Sequence, residues 1–485
     1  MTVMDQMPAV GRLEARIRRH AGANQRQEAF YQGSRRVENL GVAVPPNMNV
    51  ISPVMGWPST VVDVIAERLD FLGFTGDESG TLDRAVRRSS LQLEFAKAVT
   101  DSLIYGVGFL EVSGEVGEDG SPVAGAPMVS AVDPTQASFE WDTDGRTVAT
   151  GLVWHRQADG QMRRTVHAPG LTVYEDEDGK EVVVKHGRPC AGLIPILNRT
   201  RSGHARGHSE ITRAVRYATD HGMRAMLGME YNREFYTTPQ RYTVNAYADT
   251  MGMDDSGGPG SKERNREAAW NAAMTQHLVI PPTIEEETGA YVQPMVGQFS
   301  SSPPTPYIEE LRALTQIIAA EAAIPVHYLG FITENPSSAD AIRQSEARLV
   351  KKAELKQLQI SQVLVDMMAP LLWHISTGQD MPDEVRDELD TLWRDPATPT
   401  KAAMADAAVK IVGAGVAPAR SAVIYDMLGM SPTDQKRLEA DWARDTSRSL
   451  VGDLADRAAQ ARAGSTTVDD LAGRTEQADW SGDGS

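Results

Sequence analysis

The spacing of apolar residues changes twice along this chain, from helical to alternating and back. Residues 8–36 read as a basic amphipathic helix, with Arg12, Arg16, Arg18, Arg19, Arg26, Arg35 and Arg36 against Glu14 and Glu28. That pattern fits a solvated helix face, or an arm reaching a neighbouring subunit or a polyanion. Pro45, Pro46, Pro53 and Pro58 make 41–58 an extended connector. A Ser-Thr pair opens a short predicted helix over 59–69. A longer one follows over 80–104, where Leu91, Phe95, Val99 and Leu103 fall at four-residue spacing. From Phe109 to about His186 the pattern alternates, broken by Asp-Gly turns at 119–120, 144–145, 159–160 and 178–179. The last turn, between LTVYE and EVVVKH, predicts a hairpin.

Helical spacing returns over 208–236, where Ile211, Val215, Ala218, Met226 and Met229 form a stripe. The methionines read as adaptable packing. Pro239 ends that helix. A strand at 240–244, a Gly- and Ser-rich loop at 254–261, a helix at 262–276 and a strand at 277–282 predict a small α/β insertion. The next helix spans 306–323, with Ile308, Leu311, Leu314, Ile317 and Ile318 on one side. Pro325, Gly330 and Pro336 interrupt the pattern. A long charged helix then runs from 337 to about 373, roughly 50 Å, with Pro370 set to kink or end its last turn. Shorter helices are predicted at 383–393, 400–413, 418–429 and 431–445, and the tail from 463 reads as disordered. The fold class is therefore α+β, without an internal repeat.

Composition narrows the functions. The chain has 485 residues, enough for about three domains. Net charge is 48 − 66 = −18, which argues against a surface that clings to nucleic acid. Cys190 is the only cysteine, so internal disulfides and cysteine-cluster metal sites are excluded, and a reducing compartment fits. No apolar leader and no window of about 18 apolar residues stand in the sequence, so neither a secretory segment nor a membrane span is predicted. P-loop, nucleophile-elbow, zincin and EF-hand patterns are absent. His204 and His208 stand four apart in a glycine-flanked loop without a third ligand. Glu285–Glu287 and Asp176–Asp178 read as exposed acidic turns. No catalytic residue, metal site or cofactor is predicted.

Three stretches, in order, carry a resemblance. Ser102–Val112 contains a helix–YGVGF–strand junction. Ile194-Pro-Ile-Leu-Asn-Arg199 is followed by Gly207-His-Ser-Glu-Ile211 opening a long helix and then by Thr238-Pro-Gln-Arg-Tyr242. Ile324-Pro-Val-His-Tyr-Leu-Gly330 precedes Asn335-Pro-Ser-Ser-Ala339 and the long charged helix. Together, across roughly residues 10–375, the chain resembles the portal proteins of tailed bacteriophages. That resemblance implies a ring of usually twelve subunits at one capsid vertex, through which double-stranded DNA is packaged and ejected. It also implies a wing (1–205), a first stem helix (206–236), a clip (237–303), a second stem helix (304–324) and a tunnel loop (325–336). A long wing helix (337–375), a helical crown (376–460) and an acidic tail (461–485) complete the subunit.

The implied partners are the homo-oligomer itself, DNA without sequence preference, the large terminase, a head–tail adaptor, the major capsid protein and a scaffold. No membrane is among them. The implied setting is the virion, with the host cytoplasm during assembly. An acidic wall with thinly spread arginines suits a conduit, since each neutralised phosphate adds affinity and drag. Within that frame Thr333, Glu334 and Asn335 are candidates for the channel constriction. Arg213, Arg216 and Arg224 are candidates for subunit bridges or phosphate contacts, or for ion pairs with Glu210, Asp220 or Glu230. Arg241, Lys262, Arg264 and Arg266 are candidates for a basic clip rim. Two other readings stay open: another virion structural protein, such as a minor head protein or adaptor, and a metal-dependent hydrolase or nuclease with dispersed carboxylates.

Overall fold

A computed structural model describes residues 3–35, 53–115, 123–157, 160–176, 178–203, 206–237, 241–245, 258, 261–274, 283–284, 289–298, 300, 303–330, 339–397, 401–430 and 432–475. The chain forms two compact units, residues 1–397 and 398–485.

The larger unit begins with α1 (Pro8–Tyr31) and α2 (Trp57–Ala66). Leu13 and Ile17 of α1 are buried with Leu152, Val166 and Val173 of the sheet beneath. Arg12 donates to both oxygens of Glu140, at 2.9 and 2.7 Å, and Arg16 lies 3.6 Å from the same carboxylate. Part of the basic face is therefore turned inward onto the sheet.

Strand β1 (Phe71–Thr75) precedes α3 (Thr81–Arg88) and α4 (Leu91–Tyr105). The sequence predicts one helix over 80–104, but the structure breaks it at a serine pair. Ser89 Oγ donates to Ala85 O at 2.8 Å, and Ser90 turns to a left-handed φ of 53°. Serine hydroxyls compete for backbone groups in this way, which weakens a helix interior.

The predicted antiparallel β region is present as two sheets. In the first, β2 (Val107–Ser113) lies between β3 (Met128–Val132) and β9 (Leu193–Leu197). The second is a meander of β4 (Ala137–Trp141), β5 (Val148–Arg156), β6 (Met162–Ala168), β7 (Leu171–Glu175) and β8 (Glu181–Lys185). The β7–β8 hairpin forms at the Asp178-Gly179 turn the sequence predicts.

Helix α5 (Arg213–Thr237) and helix α7 (Thr305–Ala322) pack against each other. His221 of α5 faces Glu310 of α7 at 3.5 Å, and Gly228 faces Tyr307, so the two run antiparallel. Close packing needs the missing side chains, because a Cβ at Gly228 would fall 2.9 Å from the Tyr307 ring. Likewise, a Cβ at Gly222 would fall 2.6 Å from the Trp57 ring of α2. Between these helices lie β10 (Arg241–Val244), α6 (Ser261–Met274), β11 (Thr283–Ile284), β12 (Tyr291–Val292) and β13 (Met295–Gln298). β10 pairs with β13 and β11 with β12, as two-stranded ribbons. The strand predicted at 277–282 lies outside the described residues.

A 3₁₀ turn at Val326–Leu329 leads to α8 (Ala339–Val363). The chain stays helical through a π segment at Leu364–Met368 and into α9 (Ala369–Thr377), with Pro370 in its first turn. Pro370 has no N–H to donate and its ring crowds the preceding turn. The π segment widens the helix where that regular bond is missing. Helix is predicted over 383–393, but α10 (Asp383–Glu388) stops early and β14 (Asp390–Trp393) pairs with β1. Tertiary packing decides this. Trp393 sits edge-on to Phe71 and Phe95, with ring centres 5.6 and 5.7 Å apart, and its indole N–H donates to Ser361 Oγ at 2.8 Å.

The smaller unit contains α11 (Lys401–Gly413), α12 (Ala422–Met427) and α13 (Pro432–Thr475). The Arg420 guanidinium stacks 3.7 Å from the Trp442 ring centre. The sequence predicts disorder from 463, yet α13 continues to Thr475. Low apolar content prompts that expectation, whereas alanine, arginine and leucine there favour helix regardless of burial.

Candidate functional site: a buried junction and its helical arms

Parts of the three sequence stretches singled out above, Leu103–Gly106, Asn198 with Gly207–Glu210, and the long charged helix, meet at one point. Gly106 ends α4 with φ 90°, and a Cβ there would fall 2.6 Å from the Gly207 carbonyl oxygen. Two distant loops can touch only because glycine occupies this position. Asn198, at the end of β9, ties the contact together. Its N–H donates to Gly106 O at 3.1 Å, its side-chain amide donates to His208 O at 2.7 Å, and its carbonyl accepts from His208 N–H at 2.7 Å. Close by in the chain, Glu210 donates its N–H to Leu103 O at 2.8 Å.

The Glu210 side chain is 0% exposed. Its two oxygens accept from Lys352 Nζ and Lys356 Nζ of α8, each at 2.7 Å. Lys356 also donates to Asn198 Oδ1, and Lys352 to Ala322 O at 2.9 Å. Burial alone would raise the Glu210 carboxyl; the two ammonium groups outweigh it and hold it at about 2. A buried carboxylate persists when it is paired and every remaining lone pair finds a donor.

The same face of α8 closes the end of α7. Ala323 takes a left-handed φ of 61°, and its N–H donates back to Ala319 O. Arg348 donates to Ala320 O at 3.1 Å, so Arg348 and Lys352 together place positive charge at the negative end of the α7 dipole. A second knot sits just before residue 331. Arg68 donates to Pro396 O at 2.6 Å and to Tyr328 Oη at 3.1 Å, and lies 3.6 Å from Glu346. Tyr328 O–H donates in turn to Glu346. Both ends of the chain around 331–338 are thus fixed to the body of the unit, by Tyr328 on one side and by α8 on the other.

Comparison with known proteins now bears on this arrangement. A family model described as "Phage portal protein, SPP1 Gp6-like" matches residues 231–424. The portal protein of Mycobacterium phage L5 is 28% identical over 402 residues, covering 80% of this chain and 78% of that protein. The portal protein of Mycobacterium phage D29 gives the same identity and coverage. The chain is similar to these phage portal proteins over 80% of its length.

Among solved structures, a chain of the virion of a native gene transfer agent particle matches at 16% identity. It covers 85% of this chain and 94% of its own length, with a TM-score of 0.43. A chain from the neck of an empty gene transfer agent particle, computed with C6 symmetry, matches at 16% identity over 78% and 90%, with a TM-score of 0.44.

The candidate residues do not come together at the junction. Thr333, Glu334 and Asn335 lie outside the described residues. Arg213 and Arg224 are exposed on α5. Arg216 is half-buried and already engaged, donating to Gln27 Oε1 at 3.1 Å and to Ile211 O at 3.0 Å. Of the carboxylates considered for these arginines, Glu210 is held by lysines and Glu230 by Arg233 at 2.8 Å, while Asp220 lies 3.8 Å from Arg35 and also feels the charges of Arg224 and Arg216. Arg241 opens β10, while Lys262, Arg264 and Arg266 are exposed on α6. His204 and Glu285–Glu287 lie outside the described residues. Among the described residues no group of three or more His, Cys, Asp or Glu is arranged to hold a metal ion, and no helix is long and apolar enough to cross a membrane.

The sequence does not by itself bring together Glu210, Lys352, Lys356, Asn198 and Arg68. One signal for them exists. Lys352 and Lys356 stand four apart, beside Leu349, Ala353 and Ile360, which are buried, so both lysines share the inward face of α8.

Proposed function

We propose that copies of this chain close into a ring at one capsid vertex, forming the channel for packaging and ejecting double-stranded DNA and the dock for motor and tail. The observation that carries the ring is apolar surface left bare where the family assembles. Tyr217 of α5 is 65% exposed, Ile317 of α7 53% and Leu358 of α8 69%. In the β10–β13 ribbon, Met295 and Val296 are both exposed although successive side chains point to opposite faces. A two-stranded ribbon with exposed apolar side chains is marginal alone and gains from a partner.

In this reading residues 1–205 are the wing, 206–236 and 304–324 the stem helices, and 237–303 the clip. Residues 325–336 are the tunnel loop, 337–375 the long wing helix, 376–460 the crown and 461–485 its acidic tail. Twelve subunits are the working number. Thr333, Glu334 and Asn335 narrow the channel with little positive charge. Arg213 and Arg224 bridge subunits or touch passing phosphates, with Arg216 held in packing behind them. Arg241, Lys262, Arg264 and Arg266 present a basic rim to the large terminase and then to the head–tail adaptor. The wing meets the major capsid protein and scaffold during assembly in the host cytoplasm. The role is structural.

Negative-stain microscopy with a mass measurement on the same sample tests this. Rings with a central hole and a mass near twelve subunits support it. A homogeneous monomer or dimer, stable across concentration and salt, overturns it.

A further inference from the structure

A cavity of about 480 Å³ opens between α1, the end of α4, the β2–β4 region and the loop before α5. Phe109 and Phe139 give it an apolar part, and Arg16, His20, Arg206 and His208 also line it. Not one Asp or Glu is among the residues that line it. Arg206 has five N–H donors to place. Its one hydrogen bond is to Asn24 Oδ1 at 3.3 Å, and it has no carboxylate partner among the described residues. Arg16 donates to Phe139 O and lies 3.6 Å from Glu140, a carboxylate that Arg12 already grips with two bonds.

Burial lowers the Arg206 guanidinium to about 10, and nearby Arg16 pushes in the same direction. His20 is lowered too, by burial first and then by Arg206, Arg16 and Arg19. Arg206 and Arg16 thus share a partly apolar space whose described lining carries no carboxylate, although Glu140 lies 3.6 Å from Arg16 and Tyr105 of the same lining donates to Glu28. Such an arrangement costs stability unless an anion completes it. A divalent oxyanion is the fitting complement, because planar guanidinium forks bind phosphate oxygens in pairs and two of them neutralise two charges.

We propose that this wing cavity is a phosphate-binding site, with Arg206 and Arg16 as the principal donors and His20 beside them. It does not rest on the portal reading: a protein that fails to form rings but binds phosphate here leaves it standing.

The test is calorimetric titration of the full-length protein, as purified, with inorganic phosphate in a chloride buffer. One saturable site per chain is expected. Arg206→Met is expected to weaken phosphate at least tenfold without lowering Tm in phosphate-free buffer, since it removes an unmatched charge. His20→Glu supplies the missing carboxylate from within. It is expected to raise Tm in phosphate-free buffer and to abolish phosphate binding, which keeps the proposal falsifiable if Arg206→Met does not fold. A short DNA duplex then separates the sources. Displacement of phosphate by the duplex assigns the site to backbone phosphates, and lack of displacement assigns it to free phosphate; both support the chemistry. No saturable binding by the wild type, or equal binding by Arg206→Met, overturns it.

Discussion

The junction around Glu210 and the two ribbons between α5 and α7 are built on opposite plans. At the junction the buried polar groups find their partners inside one chain: Glu210 two lysines, Lys352 also a helix-end carbonyl, and Lys356 also Asn198. In the two ribbons, Tyr291 is 75% exposed, and Tyr242, Val244 and Met295 leave one face of the β10–β13 ribbon apolar and bare, with Val296 exposed on the other. A region closed on itself gains nothing from a neighbour, while a two-stranded ribbon without a covered face depends on one. The contrast separates what the subunit needs in order to fold from what it needs in order to assemble.

The largest expected effect breaks the first side of that contrast. Glu210→Ala strands two ammonium groups in the interior and should cost about 3–5 kcal/mol of subunit stability. Chemical denaturation monitored by tryptophan fluorescence reads it, and a loss below about 1 kcal/mol would show that the pairs are not what holds α5 to α8. Val296→Asp should break the other side. It places a charge on the exposed ribbon, so subunit stability should stay within about 0.5 kcal/mol of wild type, while the mass distribution shifts from rings to small species. Rings at wild-type yield would remove the ribbon from the interface.

Acid should separate the same two regions more gently. The Glu210 carboxyl is held at about 2 against an ordinary 4.5. A depressed carboxylate contributes its full stability above 4.5 and loses it as pH falls toward 2. About 3 kcal/mol is at stake, since each tenfold change in proton affinity is worth about 1.4 kcal/mol. Glu111 adds to the same window. Burial opposes its ionisation, but hydrogen bonds from His155 and His167 outweigh that and hold it also at about 2. In Glu210→Gln the slope of stability against pH between 4.5 and 2 should flatten, and an unchanged slope would place the acid sensitivity elsewhere.

Local pattern made much of this architecture legible in the sequence. The alternating run from Phe109 to His186 forms strands, and the Asp178-Gly179 hairpin is where its turn signal puts it. Helices α5, α7 and α8 form where their apolar spacing puts them, although Ile308 and Ile317 of the α7 stripe are exposed. Illegible were the features decided at long range. β14 lies more than three hundred residues from β1, and only the packing of Trp393 on Phe71 and Phe95 makes Asp390–Trp393 a strand. The serine pair that splits 80–104 was readable from the chemistry of Ser89, yet the apolar spacing ran through it. The candidate arginines show the same divide. Their positions on α5 were readable, but the Gln27 that occupies Arg216 comes from α1.

Arg213 and Arg224 carry the smallest and most specific expectation. Both are exposed on α5, so replacing them with alanine should change subunit stability by no more than about 0.5 kcal/mol. If they bridge subunits, the Arg213→Ala/Arg224→Ala protein should form rings that fall apart at lower salt than wild-type rings, because exposed ion pairs are screened. If they touch passing phosphates, rings should form normally and the effect should appear only in DNA packaging, with a weaker dependence on salt. Adding Arg216→Ala should instead destabilise the subunit, since that side chain joins α5 to α1 through Gln27 and caps the Ile211 carbonyl. Ring stability and packaging both equal to wild type in the double variant would take these two arginines out of the conduit altogether, leaving α5 to act through its apolar face alone.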